Sequence, residues 1–250
     1  MAVGADTVKR VYVAQLEARA KPGGGDARHS GREFRAMLRA CRELPALELD
    51  EDAYATVWVW SDLHLGHDNI IRYANRPFRD AAEMDALLYR NWARTVGDDD
   101  LLLFVGDIAM RKAVGGHTWA HIRQAQGRAK QLVVGNHDLT GSGVLRVDGF
   151  NDICSTLNVD GDPPLAFTHM PLAEVPEGVV NVHGHTHDET PRRSRHINVS
   201  VEQLDYRPVA LGRIKALARE LLAERYPDGH TTLERIANVE GAAALEDSER

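Results

Sequence analysis

The stretch TVWVWSDLH, residues 56–64, decides the fold. Thr56 to Trp60 is a short run rich in β-branched and aromatic residues, and Ser61, Asp62, Leu63 and His64 follow at once. A run that is apolar at nearly every position reads as a strand buried on both faces. The same arrangement recurs downstream. Leu101 to Val105 leads into Gly106-Asp107, and Gln131 to Val134 into Gly135-Asn136-His137-Asp138. Leu165 to Thr168 leads into His169, Val179 to Val182 into His183-Gly184-His185-Thr186-His187, and Ile197 to Val201 reads as a sixth strand. Helical spacing of apolar residues fills 81–96, 117–128 and 212–226. Short buried strands alternating with helices predict an α/β fold.

Five of these runs end in side chains able to bind a metal. Ligand sites of α/β proteins gather at the carboxyl ends of strands, so Asp62, His64, Asp107, Asn136, His169, His185 and His187 are expected to converge on one sheet edge. Residues two apart in extended backbone face the same side, which pairs Asp62 with His64 and His185 with His187. Glycine precedes Asp107, Asn136 and His185, where the chain must turn tightly. Burying two carboxylates and four imidazoles together without a cation would be expensive.

Taken in order, Asp62-x-His64, Gly106-Asp107, Gly135-Asn136-His137-Asp138, His169 and Gly184-His185-Thr186-His187 resemble the signature of the calcineurin-like metallophosphoesterase superfamily. The resemblance covers about residues 55–210. It implies a four-layer α/β/β/α sandwich with a dinuclear metal site at the strand ends. Asp62, His64, Asp107 and His187 would hold one metal, and Asp107, Asn136, His169 and His185 the other, with Asp107 bridging. The ligand types agree, because two nearby dications need a shared anion, and mixed oxygen and imidazole donors suit Mn²⁺ or Fe, with Zn²⁺ a further candidate. The implied reaction is in-line hydrolysis of a phosphomonoester or phosphodiester by a hydroxide bridging two metals. His137 is similar to the family histidine that stabilises the transition state or protonates the leaving alkoxide. A small substrate such as a nucleotide is expected.

Weaker candidates flank these motifs. Arg111, four places after Asp107, could grip the substrate phosphate. His67, in the Leu65-Gly-His-Asp-Asn69 stretch, could contact it at the pocket mouth, while Asp68 or Asn69 caps a helix beginning near Ile70. Met110 stands where the protein-phosphatase branch carries an aspartate, which argues against that branch. The tryptophans read as packing residues. A nuclease is the rival reading, with Arg192, Arg193 and Arg195 supplying part of a groove. A net charge of −7 argues against a nucleic-acid binder. A scaffold without enzymatic activity is the other rival, and the complete ligand set disfavours it.

The flanks carry less information. Residues 1–54 read as an extension: a weakly patterned start, a KPGGGD linker (Lys21 to Asp26), and a helix over about 31–44 ended by Pro45 and the acidic run Glu48 to Asp52. The catalytic domain is expected over 55–226, and a tail over 227–250 is expected to be partly disordered. Two cysteines far apart, no basic-then-apolar leader and no apolar run near the roughly 18 residues of a membrane span predict a cytoplasmic protein without a disulfide framework. Oligomeric state is not encoded in these patterns.

Overall fold

The computed structural model describes residues 4–25, 30–49, 56–110 and 116–248. Among them, ten strands form two five-stranded sheets. One sheet runs β1 (Ala46–Leu49), β6 (Thr156–Val159), β7 (Leu165–Thr168), β8 (Val180–His183), β9 (His196–Asn198). The other runs β10 (Val209–Ala210), β2 (Val57–Trp60), β3 (Leu101–Phe104), β4 (Ala129–Val133), β5 (Asp152–Cys154). Pairing is parallel except between β6 and β7 and between β10 and β2. β3, β7 and β8 are buried at every position, as the wholly apolar run of β3 and the mostly apolar runs before Thr168 and His183 predict for strands covered on both faces.

The helices are α1 (Ala5–Ala20), α2 (Gly31–Glu43), α3 (Asp68–Tyr73), α4 (Ala81–Thr95), α5 (Gly116–Gln124), α6 (Leu211–Leu222) and α7 (Thr232–Ser248). α4 lies on the β2–β3 sheet through Trp92, whose ring meets Trp60 edge-on at 5.8 Å and Phe104 at 5.3 Å. α1 buries Val8, Tyr12 and Leu16, one residue per turn along one face, and α2 answers with Phe34, Met37 and Cys41. Ser30 and Glu33 close the start of α2 in a reciprocal capping box.

The flanks differ from their sequence reading. The acidic run begun by Glu48 does not simply end α2, because Ala46–Leu49 pairs with β6 and extends the sheet. The tail expected to be partly disordered carries α7, with Ile236 wholly buried. Asp68 does not cap its own helix: its Oδ1 accepts from the Ala81 N–H at 2.8 Å and so caps α4 across the loop. Cys41 and Cys154 are both buried and free.

β2, β3 and β4 run parallel in one sheet, and β7 and β8 in the other. At their carboxyl ends a bridge between Ser61 and Ser200, with the Val201 N–H donating to the Ser61 carbonyl at 3.0 Å, ties the two sheets together. The motif loops issue from that seam.

Candidate metal centre

Every candidate ligand sits within four residues of a strand end, and the backbone there is unusual. Asp62, His64, Asp107, His185 and His187 have φ of 59°, 50°, 55°, 70° and 47°. Non-glycine residues adopt this left-handed region rarely and at a cost of about 1–3 kcal/mol each, which concentrates at functional sites. The turns are held by a lattice of backbone bonds: the Asp62 N–H donates to the Gly106 carbonyl, and the His64 N–H to the Asp107 carbonyl, both at 3.0 Å. Gly106 (φ 94°) and Gly184 leave no room for a Cβ, which would collide with the His169 ring in one case and with Ser61 and Asp62 in the other.

The side chains gather as the motif order predicts. Ligand-capable atoms of Asp62, His64 and His187 lie within 4.8 Å of one another, and so do those of Asp107, His169 and His185. Asp107 faces both groups: its Oδ2 is 3.6 Å from His64 Nε2 and 3.4 Å from His169 Nε2. Asn136 Oδ1 is 3.1 Å from His169 Nε2, and His185 Nδ1 is 3.2 Å from that same nitrogen. Asp62 and His169 are fully buried, and His64 and Asp107 nearly so.

Two of the imidazoles are oriented from behind. His169 Nδ1 is 2.7 Å from the Val105 carbonyl, so that nitrogen carries the hydrogen and Nε2 is turned inward. The following residue is pinned by the extension, the Met170 N–H donating to the Tyr12 hydroxyl at 3.2 Å. His187 Nδ1 sits 3.1 Å from Glu202 Oε1. The same Glu202 oxygen accepts from Arg76, buried at 4% exposure, whose other nitrogens donate to the Leu63 and Asp62 carbonyls at 3.0 and 2.7 Å. Asp62 Oδ2 accepts from Ser200 Oγ and from the His185 N–H, both at 2.9 Å.

The remaining atoms are left over. Asp62 Oδ1 and His64 Nε2 are buried, 3.8 Å apart, and have no hydrogen-bond partner. A buried carboxylate oxygen and a buried imidazole nitrogen left unpaired are costly, and a cation between them satisfies both. The titration behaviour agrees. Burial holds His64 well below the ordinary histidine range. Burial also opposes a proton on His169, but the Asp107 carboxylate outweighs it and pushes that imidazole up to about 10. A divalent cation would take the place of that proton as the positive charge facing Asp107.

His137 stands at the open side of the cluster. Its ring centroid is 5.0 Å from that of His64, and its backbone N–H donates to Asp107 Oδ1 at 2.8 Å. His67 is drawn in as well, its Nδ1 lying 3.4 Å from His64 Nδ1, and burial pushes it down to about 4. His183 packs behind the site, its Nδ1 on the Gly184 carbonyl. Arg111 lies outside the described residues. Asp138 binds no inward-facing group and instead accepts from three backbone N–H groups, those of Asp107, Ile108 and Gly135. Arg76, Ser200, Glu202 and Tyr12 carry no motif and were not anticipated.

The chain resembles known proteins in sequence and in fold. A family model described as calcineurin-like phosphoesterase matches residues 55–242. An uncharacterised protein of the archaeon Methanocaldococcus jannaschii is 32% identical over 177 residues, covering 64% of this chain and 90% of that protein. The gene 66 protein of Mycobacterium phage L5 is 38% identical over 85 residues, 34% of this chain and 40% of its own length. Among solved structures, a protein of unknown function from Aquifex aeolicus superposes with a TM-score of 0.53 at 22% identity, covering 64% of this chain and 98% of that one, a likeness of fold.

Proposed function

The chain belongs to the calcineurin-like phosphoesterase family, and on that premise we propose that it hydrolyses the phosphoester bond of a small substrate with the help of two divalent cations. The observation that carries this reading is the position of Asp107, whose Oδ2 faces both ligand groups, next to the unpaired Asp62 Oδ1 and His64 Nε2. Asp62, His64, Asp107 and His187 would hold one cation, and Asp107, Asn136, His169 and His185 the other. The donor set favours Mn²⁺ or Fe over Ca²⁺, with Zn²⁺ as a third candidate. When bound, such a pair acidifies water and offsets the charge of a phosphate. Two sheets sharing one core, with α1 and α2 at one and α4 at the other, support the four-layer α/β/β/α arrangement.

The chain's own residues supply the rest. Val105 and Glu202 fix the tautomers of His169 and His187, so that neutral nitrogens face inward. His137 is tethered through its N–H to Asp107, which keeps its imidazole beside the cluster. In the reaction, a water that gives up one proton to solvent bonds through its oxygen to phosphorus, the ester P–O bond breaks, and His137 gives a proton to the departing alkoxide and regains one from solvent. Arg195, one of three arginines that could line a nucleic-acid groove, is occupied by the carbonyls of Val175, Pro176 and Val179. That favours a small substrate over a nucleic acid. No helix among the described residues is long and apolar enough to cross a membrane, and the free buried cysteines suit a cytoplasmic protein.

A hydrolysis panel with added Mn²⁺ tests this reading: p-nitrophenyl phosphate, bis(p-nitrophenyl) phosphate, a cyclic nucleotide and a single-stranded oligonucleotide. Turnover of a small ester that EDTA abolishes and Mn²⁺ restores is expected. No turnover of any of the four would contradict it, and turnover of the oligonucleotide alone, steeply weakened by salt, would favour a nuclease.

A further inference from the structure

A cavity of about 350 Å³ opens beside Asn136 and His137, and its far wall comes from the start of α2, outside the segment that matches the family. Ala36, Met110 and Leu139 give it an apolar side, and Arg32 gives it a cation. The Arg32 guanidinium rests on Gly141, where a Cβ would fall 2.7 Å from Cζ, so the loop after Asp138 is shaped to receive it. Arg39, two helical turns along the same face, packs likewise against Gly143. Both arginines are exposed, and neither pairs with a carboxylate among the described residues. Glu33 also lines the cavity, but its carboxylate is turned to the Ser30 N–H at 2.9 Å. Arg32, the arginine of this cavity wall, has no carboxylate partner among the described residues, although the chain carries a net charge of −7.

We propose that Arg32 is a substrate-binding residue supplied by the N-terminal extension, and that the substrate is a nucleotide-sized phosphoester whose alcohol half carries a second phosphate. This rests on the reading of His137 as the group that faces the leaving oxygen, because the cavity lies on that residue's side. A guanidinium grips a phosphate through paired N–H donors, which an ammonium matches only in charge. The volume sits at the low end of small-ligand pockets, about 300–1,000 Å³, and the apolar side suits the body of a nucleoside.

The test uses the full chain loaded with Mn²⁺ and two probes, adenosine 3′,5′-bisphosphate and adenosine 5′-monophosphate. Wild type should favour the bisphosphate in kcat/KM. R32Q should lower that preference tenfold or more, chiefly through KM, and R32K should restore part of it. The same preference within twofold in R32Q would overturn the proposal. Binding of the bisphosphate, followed by calorimetry with wild type and R32Q, separates the two levels of the account. If neither probe nor any ester of the hydrolysis panel is turned over but R32Q binds the bisphosphate at least tenfold more weakly, the phosphoesterase reading fails and the role of Arg32 stands. Equal binding overturns the role of Arg32 whatever the activity.

Discussion

Asp138 Oδ2 lies 2.9 Å from the backbone nitrogen of Asp107, so the loop that carries Asn136 and His137 is fastened to the turn that carries the carboxylate facing both His64 and His169. The other oxygen takes the Ile108 N–H, and Oδ2 also takes that of Gly135. One buried side chain thus sets the spacing between two motifs that are 29 residues apart in sequence. Asp138→Ala strands three buried N–H donors, at roughly 1–3 kcal/mol for each group left unsatisfied. A loss of about 3 kcal/mol or more in urea unfolding is expected, with weaker metal binding. Unfolding that matches wild type would show that the turns do not depend on this clamp.

Glu202 touches no inward-facing atom, yet it holds His187 and the buried Arg76. Glu202→Gln keeps the shape and removes the charge that fixes the His187 tautomer. Loss of such a supporting partner costs about 10–100-fold in metal affinity. Mn²⁺ titration of the variant should show that weakening in the step assigned to Asp62, His64 and His187, while the second step changes little. An unaltered titration would leave Glu202 with a packing role alone.

His137 shows the opposite pattern. His137→Ala removes no predicted ligand, so metal content should stay near wild type while kcat falls by about 10²–10⁴. Equal kcat would remove its assignment as proton donor, and loss of metal would move it into the ligand set with His64 and Asp107, to which it lies close enough.

Tyr12 links the extension to the centre through Met170, the residue after His169. Tyr12→Phe deletes that acceptor in a wholly buried place. About 1–2 kcal/mol of stability should be lost, and a modest fall in metal affinity should accompany it. A variant unchanged in both measurements would mean that α1 does not position His169.

The candidate ligands are legible because each follows its strand closely: a buried apolar run announces the strand, and the polar residues after it must lie at its end. Asp62, Asp107, Asn136, His169 and His185 needed nothing more. Glu202, Ser200, Arg76 and Tyr12 were illegible for a common reason. Each reaches the site by tertiary contact from 12 or more residues away from the motif it serves, and nothing in its own neighbourhood marks it. β1 was hidden by Glu48 at an edge strand, where one exposed face tolerates charge. α7 was hidden by a small-residue composition that buries little beyond Ile236 and its neighbours. Arg32 had no motif to join, and its place beside His137 emerges only when α2 is packed against the loop at Gly141.

The central claim is a pair of cations sharing Asp107, and anomalous diffraction from crystals grown with Mn²⁺ tests it most directly. Two peaks are expected, about 3.5–4 Å apart, one among Asp62, His64 and His187, the other among Asn136, His169 and His185, with Asp107 touching both. A single peak, or peaks away from Asp107 in a crystal saturated with Mn²⁺, would contradict the account.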